Sequence, residues 1–221
     1  MQQIFNQDLS FIFLAIGPQR SGKTYCLKYI FSKITSKFDY GFVFSKTSFN
    51  GDYDWIPPQY RFKEISEDQL EKIQQYQEKI IKKMGTFQSP SCFIIIDDQA
   101  SMSLTKPKMK SLFNTSRHYK ISIFLLTQST KHKCEDLINN TSYVAIFRVP
   151  NDKSMKDIQK YFMSDCHNIS HVRSIIKSAT TEPHSFLLIN CLEQDLQMKY
   201  IETKAPQIRT NAYQEEFYLR Y

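Results

Sequence analysis

Residues 11–24, FIFLAIGPQRSGKT, constrain this chain more than any other stretch. A six-residue apolar run, 11–16, breaks into Gly17-Pro18-Gln19-Arg20-Ser21-Gly22-Lys23-Thr24, the G-x-x-x-x-G-K-[ST] pattern of a phosphate-binding loop. Gly17 lets the chain turn sharply off a buried strand, and Gly22 lets backbone approach a phosphate with no Cβ in the way. Successive N–H groups then line a concavity at a helix N-terminus, where the macrodipole favours anions. In this reading the eight loop residues and the following Tyr25 hold ATP. Lys23 reaches the β- and γ-phosphates, and the Thr24 hydroxyl binds Mg²⁺. An ordinary turn could match by chance. However, the chain has only five glycines, and two of them fall at the required positions. A strand pattern precedes the loop and a helical one follows it (Tyr25, Cys26, Leu27, Tyr29, Ile30, Ile34).

At 221 residues the chain can bury one sizeable α/β core. Its formal net charge of +7 points to an anionic partner. The longest apolar run is far short of the ~20 residues that cross a bilayer. The opening MQQIFNQDLS has no basic segment followed by an apolar one, so neither a membrane span nor a secretory signal is expected. Five cysteines without a C-x-x-C pair read as reduced thiols in a cytosol-like compartment. Cys166, His167 and His171 have partial zinc spacing, but no second ligand pair accompanies them. With no linker or repeat, a single domain over 1–221 is expected: a core at about 9–150, helices and a hairpin over 151–205, and a tail over 206–221. The aromatic end of that tail, Phe217-Tyr218-Leu219-Arg220-Tyr221, could dock on a neighbouring subunit or a capsid protein, or pack on its own domain.

Periodicity predicts helices at 21–36, about 70–85, 106–119, 154–163 and 169–178. Ser66-Glu67-Asp68-Gln69 supplies a capping box for the second of these, and Gly85 a stop. Strands are expected at 11–16, 41–45, 92–97, 121–127 and 143–147. A hairpin should join 185–191 to 197–203 through Leu192-Glu193-Gln194-Asp195, and Ile56-Pro57-Pro58 is expected to be irregular. Alternating strands and helices imply a mainly parallel sheet covered on both faces, with ligands outside the strands' C-terminal ends.

Two more strand tips add chemistry. Phe93-Ile94-Ile95-Ile96-Asp97-Asp98 is a buried strand that delivers carboxylates at its end. Asp97 fits the Mg²⁺-holding acid, and Asp98 the base that activates the attacking water; the plainer reading of Asp98 is a cap or turn residue. The other strand closes on Thr127-Gln128. The Gln128 amide both donates and accepts, so it can orient a water or contact the γ-phosphate, or it can simply open a loop.

GPQRSGKT, FIIIDD, NTSRHYKISIFLLTQ and YVAIFRVPND stand in an order and spacing that resembles the DNA-packaging ATPases of large double-stranded DNA viruses and their relatives. Poxviruses, virophages, Maverick-type elements and some tailless phages carry such proteins, which belong to the FtsK/HerA superfamily. The resemblance covers about 11–152, and its most specific piece is Ser116-Arg117-His118-Tyr119 ahead of the strand ending in Thr127-Gln128. It implies a RecA-like P-loop NTPase with a mainly parallel central sheet flanked by helices, a C-terminal β-hairpin, and a homo-oligomeric ring, pentamer or hexamer. Such a ring pumps duplex DNA into a capsid, with a capsid or vertex protein as a further partner. The place of action would be the host cytoplasm or a viral factory, or the virion itself. Much of the superfamily has Glu where this chain has the shorter Asp98. A ring motor also needs an arginine from the next subunit. Arg117 is the first choice, followed by Arg148 and Arg173.

Residues 99–134 contain seven basic side chains (Lys106, Lys108, Lys110, Arg117, Lys120, Lys131, Lys133) and no Asp or Glu. They are expected to form a patch that grips DNA phosphates without reading sequence, or else a solvated face or a surface for an acidic protein. Two other functions stay open on sequence grounds. A small-molecule kinase would need an arginine-rich lid, and 151–178 has one arginine. A non-catalytic nucleotide-gated adaptor would not need Lys23, Thr24, Asp97 and Asp98 all intact.

Overall fold

The computed structural model describes residues 10–99, 104–128, 134–149 and 151–206. In chain order its elements are β1 (Ile12–Ile16), α1 (Lys23–Ile34), β2 (Tyr40–Ser45), β3 (Arg61–Phe62), α2 (Glu67–Met84), β4 (Cys92–Asp97) and α3 (Pro107–Thr115). Then come β5 (Ile121–Thr127), α4 (Glu135–Asn140), β6 (Thr141–Ile146), α5 (Asp152–Phe162), α6 (Ile169–Ala179), β7 (Ser185–Asn190), α7 (Leu196–Lys199) and β8 (Tyr200–Lys204). Among the described residues the strands form one eight-stranded sheet in the order β3-β2-β4-β5-β1-β6-β7-β8. The pairings from β3 to β6 are parallel, while β7 and β8 add an antiparallel edge.

The strands alternate between two apolar layers because successive side chains point to opposite faces. On β1, Ile12, Leu14 and Ile16 join one core with residues of α2, α3, α5 and α6, while Phe13 and Ala15 join the other with α1. The α1 layer is aromatic: Phe31 lies 4.6 Å from Phe124 and 4.8 Å from Phe93 between ring centroids. Burying rings of this size anchors α1, and so the loop that opens it, rigidly on the sheet. Strand β5 separates β1 from β4, which brings the tips of all three to one edge.

The capping box forms as expected. Ser66 Oγ accepts from Gln69 N at 3.2 Å, and the Gln69 side chain accepts from Ser66 N at 3.1 Å. Elsewhere the structure departs from the sequence reading. Pro58–Tyr60 forms a 3₁₀ turn, with Pro58 at a first-turn position where no N–H is needed, and it leads into the short β3. Helix α3 stops at Thr115 rather than 119, and Lys120 at φ 52 turns the chain into β5. Helix α4 was not expected. The hairpin is present, but residues 196–199 form one helical turn where strand was expected from 197, because the Asp195 side chain accepts from Gln197 N at 2.9 Å. The aromatic end of the tail, residues 217–221, lies outside the described residues.

Candidate functional site

The loop begins where β1 ends. Gly17 N donates to Thr127 O at 3.1 Å, which ties the turn to the tip of β5. A Cβ at Gly17 would lie 2.6 Å from Phe147 Cβ and 2.7 Å from Ser21 Oγ, so the position excludes any side chain. Gly22 has φ 100, and a Cβ there would meet His184. Arg20 is exposed at φ 60. Beyond the loop, α1 starts at Lys23.

Lys23 is 8% exposed, and its ammonium donates to Gly17 O at 2.9 Å and Pro18 O at 2.8 Å. Burial lowers its pKa, and the nearby Asp97 and Asp98 act the other way. The buried Ser21 Oγ has no hydrogen-bond partner among the described residues. A buried hydroxyl with no partner and an ammonium held at the mouth of its own loop fit a cradle for a phosphate anion.

Asp97 closes β4 opposite the loop and is 8% exposed. Its Oδ2 accepts from the Tyr53 hydroxyl at 2.7 Å. Burial raises the Asp97 pKa, while the Tyr53 bond and Lys23 pull it back. The Thr24 hydroxyl is in hydrogen-bond range of the same Tyr53 oxygen. Thr24 and Asp97 therefore share one partner and present hard oxygen donors side by side, a set that fits Mg²⁺ completed by phosphates and waters. Asp98 turns out of the strand at φ 49, and its Oδ1 accepts from Gln128 Nε2 at 2.7 Å. The expected base and the expected γ-phosphate sensor are thus in direct contact. Gln19, Arg20, Gly22, Lys23, Thr24, Tyr25, Asp97, Asp98 and Gln128 all line one open pocket of about 300 Å³.

Three features escaped the sequence reading. Ser45 ends β2 and pairs in register with Asp97, and with Lys46 and Thr47 it lines the pocket. The strand-tip argument applied to β4 and β5 would have found them. Tyr53, 44 residues from Asp97, and His184 near the far end of the chain gave no local signal.

The arginines fare differently. Arg117 precedes β5 and donates to Ser142 Oγ at 3.2 Å at the start of β6. The seven residues of β5 put it roughly 20 Å from its own pocket. Arg173 is paired with Asp152 at 2.8 Å. Arg148 is exposed just past β6, on the pocket edge of the sheet. The structure therefore brings none of the three against the phosphate site of its own chain.

Among the described residues the basic segment is not an unpaired positive patch. The segment lacks acids in sequence, yet helices packed beside it supply them. Lys106 pairs with Glu67 at 3.3 Å, Lys108 with Glu71 at 2.9 Å and Lys110 with Asp136 at 3.8 Å. Lys120 is buried, and its ammonium donates to Ser89 O. Lys131 and Lys133 lie outside the described residues. The kinase-type lid is also missing from 151–178 among the described residues: α5 and α6 pack on the sheet there, and Arg173 is spent on Asp152.

The profile of the family described as "Poxvirus A32 protein" matches residues 3–203. The chain belongs to the poxvirus A32 protein family. Its fold is shared with solved structures of distant sequence. The genome packaging NTPase B204 of Sulfolobus turreted icosahedral virus 2, in complex with AMPPCP, superposes with a TM-score of 0.65 at 17% identity, over 90% of this chain and 100% of that one. B204 of Sulfolobus turreted icosahedral virus, the DNA-packaging ATPase, gives 0.62 at 19% identity, over 89% and 98%. The pCW3 conjugation coupling protein TcpA gives 0.60 at 14% identity, over 89% of this chain and 60% of that one. No curated protein matches the chain.

Proposed function

We propose that this chain is a DNA-packaging ATPase: it hydrolyses ATP with Mg²⁺ and couples hydrolysis to moving double-stranded DNA into a viral capsid, as a homo-oligomeric ring. The observation that carries the reading is the convergence of loop, acids and Gln128 at one sheet edge. Lys23 and the loop stand against Asp97, while Asp98 touches Gln128 on the inserted strand β5. Membership of the A32 family and the shared fold of two packaging B204 proteins support the same class.

In this mechanism the loop N–H groups and Lys23 hold the β- and γ-phosphates, with Lys23 exchanging its two carbonyl acceptors for phosphate oxygens. Thr24 and Asp97 would hold Mg²⁺, which when bound would supply positive charge against the phosphates. Asp98 takes the proton of the attacking water, and Gln128, already bonded to Asp98, orients that water or reads the γ-phosphate. Arg117 from the next subunit completes the charge stabilisation. Duplex DNA is held without regard to sequence, in keeping with the net charge of +7, and the ring works at a capsid vertex in the host cytoplasm or a viral factory.

Phosphate release tests the reading. The purified chain should release free phosphate from ATP over many turnovers, and Lys23→Ala should abolish it. A phosphorylated small-molecule acceptor would point to a kinase instead, and a single burst without turnover to an adaptor.

A further inference from the structure

The C-terminal hairpin reaches into the nucleotide pocket. Tyr25, in the first turn of α1, stacks on His184 with ring centroids 4.6 Å apart and an interplanar angle of 21°. Both rings line the pocket of the phosphate loop. His184 directly precedes β7, and β7 runs antiparallel to β6, so the start of β7 lies at the pocket edge of the sheet. There the ring comes so near the loop that a Cβ on Gly22 would sit 2.9 Å from His184 Nδ1. His184 also has φ 62, a conformation that a residue with a side chain keeps only where its surroundings hold it. The end of β8 does the holding. Ala205 N donates to His184 O at 3.1 Å, and Lys204 pairs with Glu182, whose carbonyl accepts from Ser185 N at 3.2 Å. The His184 side chain is exposed, so apolar burial does not account for the strained placement of a ring over the loop.

Strand order assigns the two ends of the pocket. The acids and Gln128 come from β4 and β5 on one flank of β1, and His184 from β7 on the other. Three strand spacings, ~14 Å, separate β5 from β7. A nucleoside triphosphate with its γ-phosphate at Asp98 and Gln128 therefore extends across the loop toward Tyr25 and His184, the two aromatic rings of the pocket lining.

We propose that Tyr25 and His184 form the nucleobase platform of this site, with a purine ring stacking on the exposed face of His184 as the third ring of the stack. The proposal rests on the reading of the pocket as a triphosphate site and deepens it. A stacking platform reads ring area rather than hydrogen-bonding edges, so it takes either purine and favours both over a pyrimidine. His184 is then a specificity-determining residue that the β7–β8 hairpin exists in part to position.

Equilibrium titration of the full-length protein with inorganic tripolyphosphate and with non-hydrolysable analogues of ATP, GTP and CTP tests this. His184→Asn removes the ring but tolerates the left-handed backbone, Tyr25→Leu removes the ring beneath, and Tyr25→Phe keeps it. The expected result is ATP-analogue affinity about 5- to 150-fold weaker in His184→Asn and Tyr25→Leu, wild-type affinity in Tyr25→Phe, and unchanged tripolyphosphate binding in all three. Unchanged tripolyphosphate binding also shows that the variants fold. ATP and GTP analogues should bind the wild type alike, with the CTP analogue weaker. The platform is overturned if His184→Asn weakens tripolyphosphate as much as nucleotide, or weakens neither. It also falls if the wild type binds tripolyphosphate as tightly as nucleotide, a result that leaves the phosphate-loop reading standing. A wild type that binds none of the ligands overturns both.

Discussion

Asp97 is kept at a position where burial works against its charge. Its pKa is raised, chiefly by desolvation, even with Tyr53 and Lys23 pulling it down. A carboxyl raised above its unfolded value costs the folded state nothing at low pH. The cost appears as pH climbs past the unfolded value of 3.8 and is complete above the folded pKa. Asp97→Asn keeps the shape and the acceptor for Tyr53 while deleting the charge. It should raise Tm above the folded pKa but not below the unfolded value, and abolish phosphate release, a trade that thermal unfolding across pH and activity assays check together. Tyr53→Phe removes the hydroxyl that donates to Asp97 and lies beside the Thr24 hydroxyl. It should weaken Mg²⁺-dependent nucleotide binding about 10- to 100-fold, leaving binding in EDTA near wild type, as read by fluorescent-nucleotide titration. Asp98→Asn should lower kcat about 10²- to 10⁴-fold with little change in KM.

At the scale of elements, what was legible in the sequence is what rests on local chemistry. The loop, the capping box at Ser66 and the apolar strand ending in Asp97-Asp98 each declare themselves within a few residues, and the structure places them as read. Contacts made by distant segments were not legible. Tyr53 reaches Asp97 from an irregular stretch between β2 and β3, and His184 arrives only because β7 reverses direction against β6. The basic segment misled for the same reason. Glu67 and Glu71 lie one helical turn apart on α2, and packing of α2 against α3 sets them opposite Lys106 and Lys108, a pairing invisible in a window of charges. The pairs are partly exposed and contribute little stability, yet they compensate the charge that would have met DNA. Replacing Lys106 and Lys108 together with Ala should therefore leave DNA-stimulated phosphate release within about two-fold of wild type. A collapse of DNA stimulation in that variant would restore the segment as the grip. Ser66→Ala, by contrast, should cost about 1 kcal/mol of stability in denaturant unfolding without touching nucleotide binding.

At the scale of the whole molecule, one chain brings the proposed phosphate cradle, metal donors, base and sensor to one pocket, and none of Arg117, Arg148 and Arg173 lines it. Arg117 stands at the opposite end of β5 from this pocket, and in the proposed ring it would serve a neighbour's site. Arg117→Ala should keep nucleotide affinity but lose ~10³- to 10⁵-fold in turnover, whereas Arg173→Ala, which breaks only an exposed pair with Asp152, should remain near wild type. In the proposed ring, hydrolysis needs a neighbouring subunit and responds to duplex DNA. Steady-state phosphate release per subunit, followed across a dilution series with and without duplex DNA, tests it most directly. A rate that falls on dilution and rises with DNA is the predicted result. A full rate in dilute monomer, indifferent to DNA, would contradict it.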